Sequence, residues 1–161
     1  MSGATIRRAT PNDLRAVAAI EARVFPSNEA DSLEMIAARL EIAPELFYVA
    51  ELDGRIVGFI NGLPISTERL DNRFYTSSPP IGTQSSGAAL MSLGVDEEYR
   101  RRGIAATLVR TVIERAAKKF FVLICKREKI EYYGRLGFEP IGESGVRLGG
   151  ATWYDMIKRN P

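Results

Sequence analysis

Leu93-Gly94-Val95-Asp96-Glu97-Glu98-Tyr99-Arg100-Arg101-Arg102-Gly103-Ile104-Ala105-Ala106 is the most informative run in the chain. The apolar segment from Ala88 to Val95 reads as a buried strand, and the charged residues 96–102 as a turn. Gly103 then opens a helix expected to reach about Lys119, with Ile104, Leu108, Val109, Val112, Ile113 and Ala116 repeating at the helical period. A helix N-terminus presents N–H groups without intrahelical partners and the positive end of a dipole, which suits a phosphate anion. Gly103 allows close backbone approach, and Ala105 keeps bulk away from it. Arg100, Arg101 and Arg102 add charge in a form that matches phosphate oxygens. Taken alone, the same residues also describe a solvated basic turn before an ordinary helix. Neither of the common nucleotide fingerprints, Gly-x-x-x-x-Gly-Lys-Ser/Thr or a full Gly-x-Gly-x-x-Gly, is present.

Outward from this run, secondary-structure signals alternate in type. Toward the N-terminus, Thr5 to Ala9 reads as a strand, and Thr10-Pro11 as a helix start. Leu14, Val17, Ala18 and Val24 form that helix's apolar stripe, and Pro26 ends it. A second helix begins near Asp31 or Ser32, where Asp31 and Glu34 have capping-box spacing. Phe47 to Leu52 and Arg55 to Leu63 flank Asp53-Gly54, a strong hairpin signal. Thr76 to Gly87, rich in Ser, Pro, Gly and Thr, reads as an exposed mobile loop. Toward the C-terminus come a strand from Phe121 to Cys125, a short helix from Ile130 to Leu136, and strands at Phe138 to Gly142 and Thr152 to Ile157. The order β, α, α, β, β, β, α, β, α, β, β implies an α/β fold with a mixed central sheet, the strands on either side of the long helix running parallel.

Composition narrows the chemistry. With 161 residues the chain is expected to form one domain, and 45% apolar with 26% charged residues is a globular mixture. A formal charge of +2 gives no footprint for nucleic acid or an anionic membrane. Cys125 is the one cysteine, so an internal disulfide is impossible and a reducing cytoplasm is the default. No signal-like segment and no run approaching the roughly 18 apolar residues of a membrane span is visible. There is no histidine, which removes imidazole bases and most zinc chemistry, and no metal is expected.

Two landmarks together resemble the Gcn5-related N-acetyltransferase (GNAT) family. Arg100, Gly103 and Ala105 match its Arg/Gln-x-x-Gly-x-Gly/Ala loop, and Tyr133-Gly134-Arg135-Leu136-Gly137-Phe138 matches its Tyr before Gly-Phe. The element order is similar to that family's fold over nearly the whole chain. Within the family, Val24 to Asp31, Phe59-Ile60-Asn61-Gly62, and Cys125 eight residues before Tyr133 resemble the arylalkylamine (serotonin-type) N-acetyltransferases.

The resemblance implies acetyl-CoA as co-substrate and a small-molecule amine as acceptor, in a monomer or homodimer. It implies that the backbone of Leu93, Gly94 and Val95 pairs with the pantetheine arm between splayed parallel strands. Arg100, Arg101, Arg102, Gly103, Ile104, Ala105 and Ala106 would cradle the pyrophosphate, and a backbone N–H near Leu93 would stabilise the oxyanion. Tyr133 is the expected acid for the leaving thiolate, and Tyr132 the aromatic packed on the core. Phe25, Pro26, Phe74 and Tyr75 are expected to line the acceptor pocket. One departure concerns the base. Where vertebrate members of the group carry two histidines, this chain has Ala89 and Met91; either a carboxylate replaces them, with Glu29 the leading candidate as base or amine anchor, or ordered water and bulk solvent suffice. Transfer to a protein N-terminus or lysine, and CoA sensing without turnover, stay open on the same residues.

Overall fold

The computed structural model describes residues 3–81 and 85–160, so residues 82–84 of the expected loop lie outside the described residues. Strands β1 (Thr5–Arg8), β2 (Tyr48–Leu52), β3 (Arg55–Ile65), β4 (Gly87–Val95), β5 (Phe120–Cys125), β6 (Glu139–Glu143) and β7 (Tyr154–Arg159) form one sheet. Its order is β1-β2-β3-β4-β5-β7-β6, and only β4 and β5 run parallel. Helices α1 (Leu14–Val24), α2 (Leu33–Ile42), α3 (Ile104–Arg115) and α4 (Ile130–Arg135) complete the expected α/β order.

Strand alternation sorts the core onto two faces. Tyr48 and Ala50 of β2 pack with Leu108, Val109 and Val112 of α3, whereas Phe47 and Val49 pack with Val17 and Ile20 of α1 and Ile36 of α2. The Asp53-Gly54 turn has φ of 53° and 76°, both positive as a type I′ hairpin requires.

Each strand differs from the sequence reading by one or two residues at one end or both, and helices α1 and α3 each differ at one end. Residues Pro11–Asp13 form a 3-10 turn before α1, with Asp13 accepting from the Thr10 backbone N–H at 2.8 Å. Helix α2 starts where expected, and of the two residues offered Ser32 is the cap, accepting from Met35 N at 3.2 Å. The helix expected to reach Lys119 stops at Arg115, because Ala117 takes a left-handed φ of 48° and turns the chain toward β5. The end of α1 is as expected. Phe25 is extended at φ −109° and ψ 148°, the conformation favoured before proline.

Candidate active site

The parallel pair is joined only along Gly87, Ala88 and Ala89, opposite Phe120, Phe121 and Val122. Beyond that point the strands part. The β3–β4 register shifts so that Gly62 faces Leu90 while Asn61 faces Ser92, leaving Met91 as an extra residue in β4. Such a bulge adds local twist and bends the strand that carries it. A cleft of about 740 Å³ opens there, walled by Leu90–Val95 on one side and Leu123–Cys125 on the other.

At one end of the cleft lies the basic turn. Gly103 sits at φ 79° as the residue before α3, with no side-chain cap on the helix. Thr107 is the first residue of α3 whose N–H reaches an intrahelical acceptor, Gly103 O at 3.0 Å. The N–H groups of the first turn are therefore available to an anion, and a Cβ placed on Gly103 would meet nothing within 4 Å. Arg101 also holds a positive φ, 64°. Arg23 and the buried Asp96 fix the end of β4 through two 2.9 Å hydrogen bonds. The geometry thus fits a pyrophosphate at the helix end. Arg100, Arg101, Gly103, Ile104, Ala105 and Ala106 wall the cleft. Arg102 does not; its guanidinium lies 5.2 Å from the Tyr99 ring centroid. Gly94 has a packing reason of its own, since a Cβ there would stand 2.9 Å from Phe59 Cε1.

Tyr133 and Cys125 also line the cleft. The Tyr133 ring packs edge-on against Tyr132 and Phe138, at centroid distances of 5.2 and 6.1 Å. Burial raises its phenol well above the ordinary value, so it stays protonated throughout the working range. Tyr132 is not the core aromatic that was expected: both tyrosines are half-buried and line the cleft, and it is Tyr133 that also packs against the main core, with Tyr132 near Lys129. Burial pushes the Cys125 thiol up to about 11, which leaves it an unreactive wall residue.

The far end is bounded by the loop after α1 and by the segment between β6 and β7. Phe25, Pro26, Tyr75, Leu148 and Trp153 line it. Phe74, expected beside them, is instead 6% exposed and buried among Leu63, Leu70, Val122 and Val146. The loop aromatic that reaches the cleft is its neighbour Tyr75. Glu29 is at the cleft wall, but Lys126 Nζ lies 2.9 Å from its carboxylate. Asn28 Nδ2 donates to Gly149 O at 3.3 Å, so a side chain of the loop after α1 holds the backbone of the segment before β7.

A carboxylate that the sequence reading passed over completes the site. Glu21 of α1 is 2% exposed overall and still lines the cleft. Its Oε1 accepts from the Ser92 hydroxyl at 2.5 Å and its Oε2 from the Asp31 backbone N–H at 2.9 Å. Burial, with the nearby Asp31 charge second, pushes its carboxyl up to about 7. Of the four carboxylates lining the cleft, Asp31 and Glu29 have cations at 2.6 and 2.9 Å and Glu128 is exposed, whereas Glu21 is buried without an ion pair among the described residues. The missed signal was a carboxylate set within an apolar stripe: Glu21 follows Val17 by four positions and Ala18 by three.

Residues 14–138 match the Acetyltransferase (GNAT) family. Serotonin N-acetyltransferase of Mesocricetus auratus is 29% identical over 91% of this chain and 73% of its own length. N-acetyltransferase 8 of Rattus norvegicus is 33% identical over 66% of this chain but only 44% of its own length, so the chain spans less than half of that relative. The fold is shared with the GphF GNAT-like decarboxylase in complex with isobutyryl-CoA, at a TM-score of 0.83, 19% identity and coverage of 96% and 98% of the two chains. It is also shared with Arabidopsis thaliana Naa50 in complex with a CoA-Ac-MVNAL bisubstrate analogue, at 0.73, 18% identity and coverage of 98% and 99%. No helix among the described residues is long and apolar enough to cross a membrane.

Proposed function

Because the chain belongs to the acetyltransferase (GNAT) family, we propose that it moves an acetyl group from acetyl-CoA to a small primary amine of the arylalkyl type. Transfer is direct, within a ternary complex in a cytoplasmic setting. The observation that carries this reading is Glu21: a carboxyl raised to about 7, opening on the cleft between the anion-binding turn and the aromatic end. A base poised near the operating pH is the most effective one. Glu21 therefore takes the role that Glu29 was expected to fill, and Glu29 becomes a wall of the acceptor pocket tied to Lys126.

In the proposed reaction the pyrophosphate rests on the N–H groups of Gly103 to Ala106, with Arg100, Arg101 and Arg102 supplying field. The exposed backbone edge of Leu93, Gly94 and Val95 receives the pantetheine arm. The amine enters from the end lined by Phe25, Pro26, Tyr75 and Trp153, whose rings suit an aromatic group. Its nitrogen attacks the thioester carbon, and a backbone N–H near Leu93 stabilises the oxygen as it gains charge. The attacking nitrogen becomes acidic as the N–C bond forms, and its proton passes to Glu21. Collapse breaks the C–S bond; Tyr133 donates its proton to the departing sulfur, giving the amide and free CoA. Because burial makes that phenol a weak acid, Tyr133 acts chiefly as a hydrogen-bond donor until sulfur carries negative charge.

The loop after α1 is tied to the segment before β7 through Asn28 to Gly149 and to the end of β5 through Glu29 to Lys126, which narrows the acceptor end and favours a compact amine over a peptide chain. The test is a panel of arylalkylamines, polyamines, and peptides with free N-termini or lysines, with CoA release as readout. Turnover of arylalkylamines above the others supports the reading. Turnover confined to peptides overturns the acceptor class, and CoA binding without turnover on any amine overturns the activity.

A further inference from the structure

Arg39 is the largest fully buried side chain among the described residues, 1% exposed, on a helix that lines no part of the cleft. Its Nη1 lies 2.6 Å from Asp31 Oδ2 and 3.2 Å from Asn61 Oδ1. Asp31 has a second connection, because its backbone N–H donates to Glu21 Oε2 at 2.9 Å. The groups thus form a chain: Arg39 holds Asp31, Asp31 holds Glu21, and Glu21 accepts from Ser92. A buried ion pair is weak support for stability by itself, since desolvation can exceed its Coulombic gain. This one lies beside a carboxylate that needs both a fixed orientation and a controlled charge.

Resting on the reading of Glu21 as base, we propose that Arg39 is a positioning residue for acetyl transfer, acting through Asp31. It fixes the N–H that Glu21 accepts and offsets part of the Asp31 charge felt by that carboxyl. Without Arg39, a bare carboxylate would stand next to the base and oppose its ionisation. Without the Asp31 charge, an unpaired guanidinium would favour ionisation. The other groups facing Glu21 do not supply this balance. Ser92 of β4 and Asn61 of β3 are neutral, and burial keeps the Tyr75 phenol protonated. Glu29 and Asp155, the further carboxylates, are each paired already, with Lys126 and Arg69. Arg23 on the same helix is turned to Asp96.

The two halves of the pair should therefore displace the base in opposite directions, which general damage to the fold would not do. The experiment compares pH profiles of kcat/KM for Arg39→Met, Asp31→Asn, the double variant and Arg39→Lys. Arg39→Met should move the acidic limb to higher pH by about one unit, the scale of a nearby like charge, and Asp31→Asn should move it lower. The double variant, with the same net charge as the parent, should return the limb to within a few tenths of a unit, and Arg39→Lys should restore most of it. If Arg39→Met fails to fold, Asp31→Asn and the double variant carry the same test without an uncompensated buried anion. An unmoved limb in folded Asp31→Asn, or a displacement of both single variants in one direction, overturns the proposal. Glu21→Gln serves as the reference: if the limb persists in it, the base assignment fails first, whereas its loss there with unmoved limbs elsewhere removes only the role of Arg39.

Discussion

Gly103→Val puts the proposed phosphate-binding turn under the sharpest load. The residue sits at φ 79°, left-handed backbone that costs an L-residue about 1–2 kcal/mol and a β-branched one at least that. Its Cβ would enter space with no protein atom within 4 Å, so the free protein has room for the substitution. For a domain of this size that strain lowers Tm by roughly 2–8 °C, which leaves a folded protein to titrate. The isopropyl group would then stand where the phosphates must approach. Losing one or two charge-assisted hydrogen bonds, at about 1.5–3 kcal/mol each, predicts CoA binding weaker by roughly 10- to 1,000-fold or more. Arg101→Ala removes only an exposed charge, worth up to about 1 kcal/mol, and should weaken binding less than roughly fivefold. Isothermal titration of CoA into both variants, with Tm of the free proteins measured alongside, gives the comparison. A folded Gly103→Val that binds CoA like the parent would falsify the assignment of the phosphate site to this helix end.

Three other consequences can be measured on single variants. Tyr133→Phe should lower kcat by roughly 10²- to 10⁴-fold while CoA affinity is nearly unchanged, and parent-like turnover would remove Tyr133 from the chemistry. Glu29→Gln should raise KM for the amine through loss of the Lys126 contact, yet leave the acidic limb in place; disappearance of the limb would return the base role to Glu29. Glu21 binds its proton more tightly folded, at about 7, than unfolded, at its ordinary 4.5, so its contribution to stability is lost as pH rises between those values. Chemical denaturation should therefore show Glu21→Gln gaining stability over the parent between pH 4.5 and pH 8, by an amount on the order of 2–3 kcal/mol. An equal difference at both pH values would mean that the carboxyl is not raised by burial.

The fold was legible because each local signal agreed with its neighbours. Asp53-Gly54 specified a turn that needs two positive φ values, and the apolar face of α3 required a sheet to cover it. Boundaries were lost where composition carries no punctuation. Ala116 continues the helical period, and only the left-handed Ala117 shows where α3 stops. Asp31 and Ser32 are both good caps, and the choice between them depends on Arg39, which claims Asp31 from eight residues away. The residues expected at the phosphate end are local in sequence, and all of them but Arg102 line the cleft. The acceptor end is not local, since Glu29 meets a lysine 97 positions away and Glu21 meets a serine 71 positions away. Phe74 and Tyr75 are adjacent aromatics in one loop, and only the packed structure sends one to the core and the other to the cleft. The Met91 bulge that parts the parallel strands is a property of register, which β4 alone does not encode.

Glu21 as the proton acceptor is tested most directly by the pH dependence of kcat/KM across primary amines of graded pKa, in the parent and in Glu21→Gln. The parent should show an acidic limb near pH 7 that stays fixed as the amine is varied, because it belongs to the enzyme. Glu21→Gln should lose that limb and fall in kcat/KM by roughly 10²- to 10⁴-fold while still binding acetyl-CoA. A limb that follows the pKa of the amine, or one that survives unchanged in Glu21→Gln, would contradict the assignment.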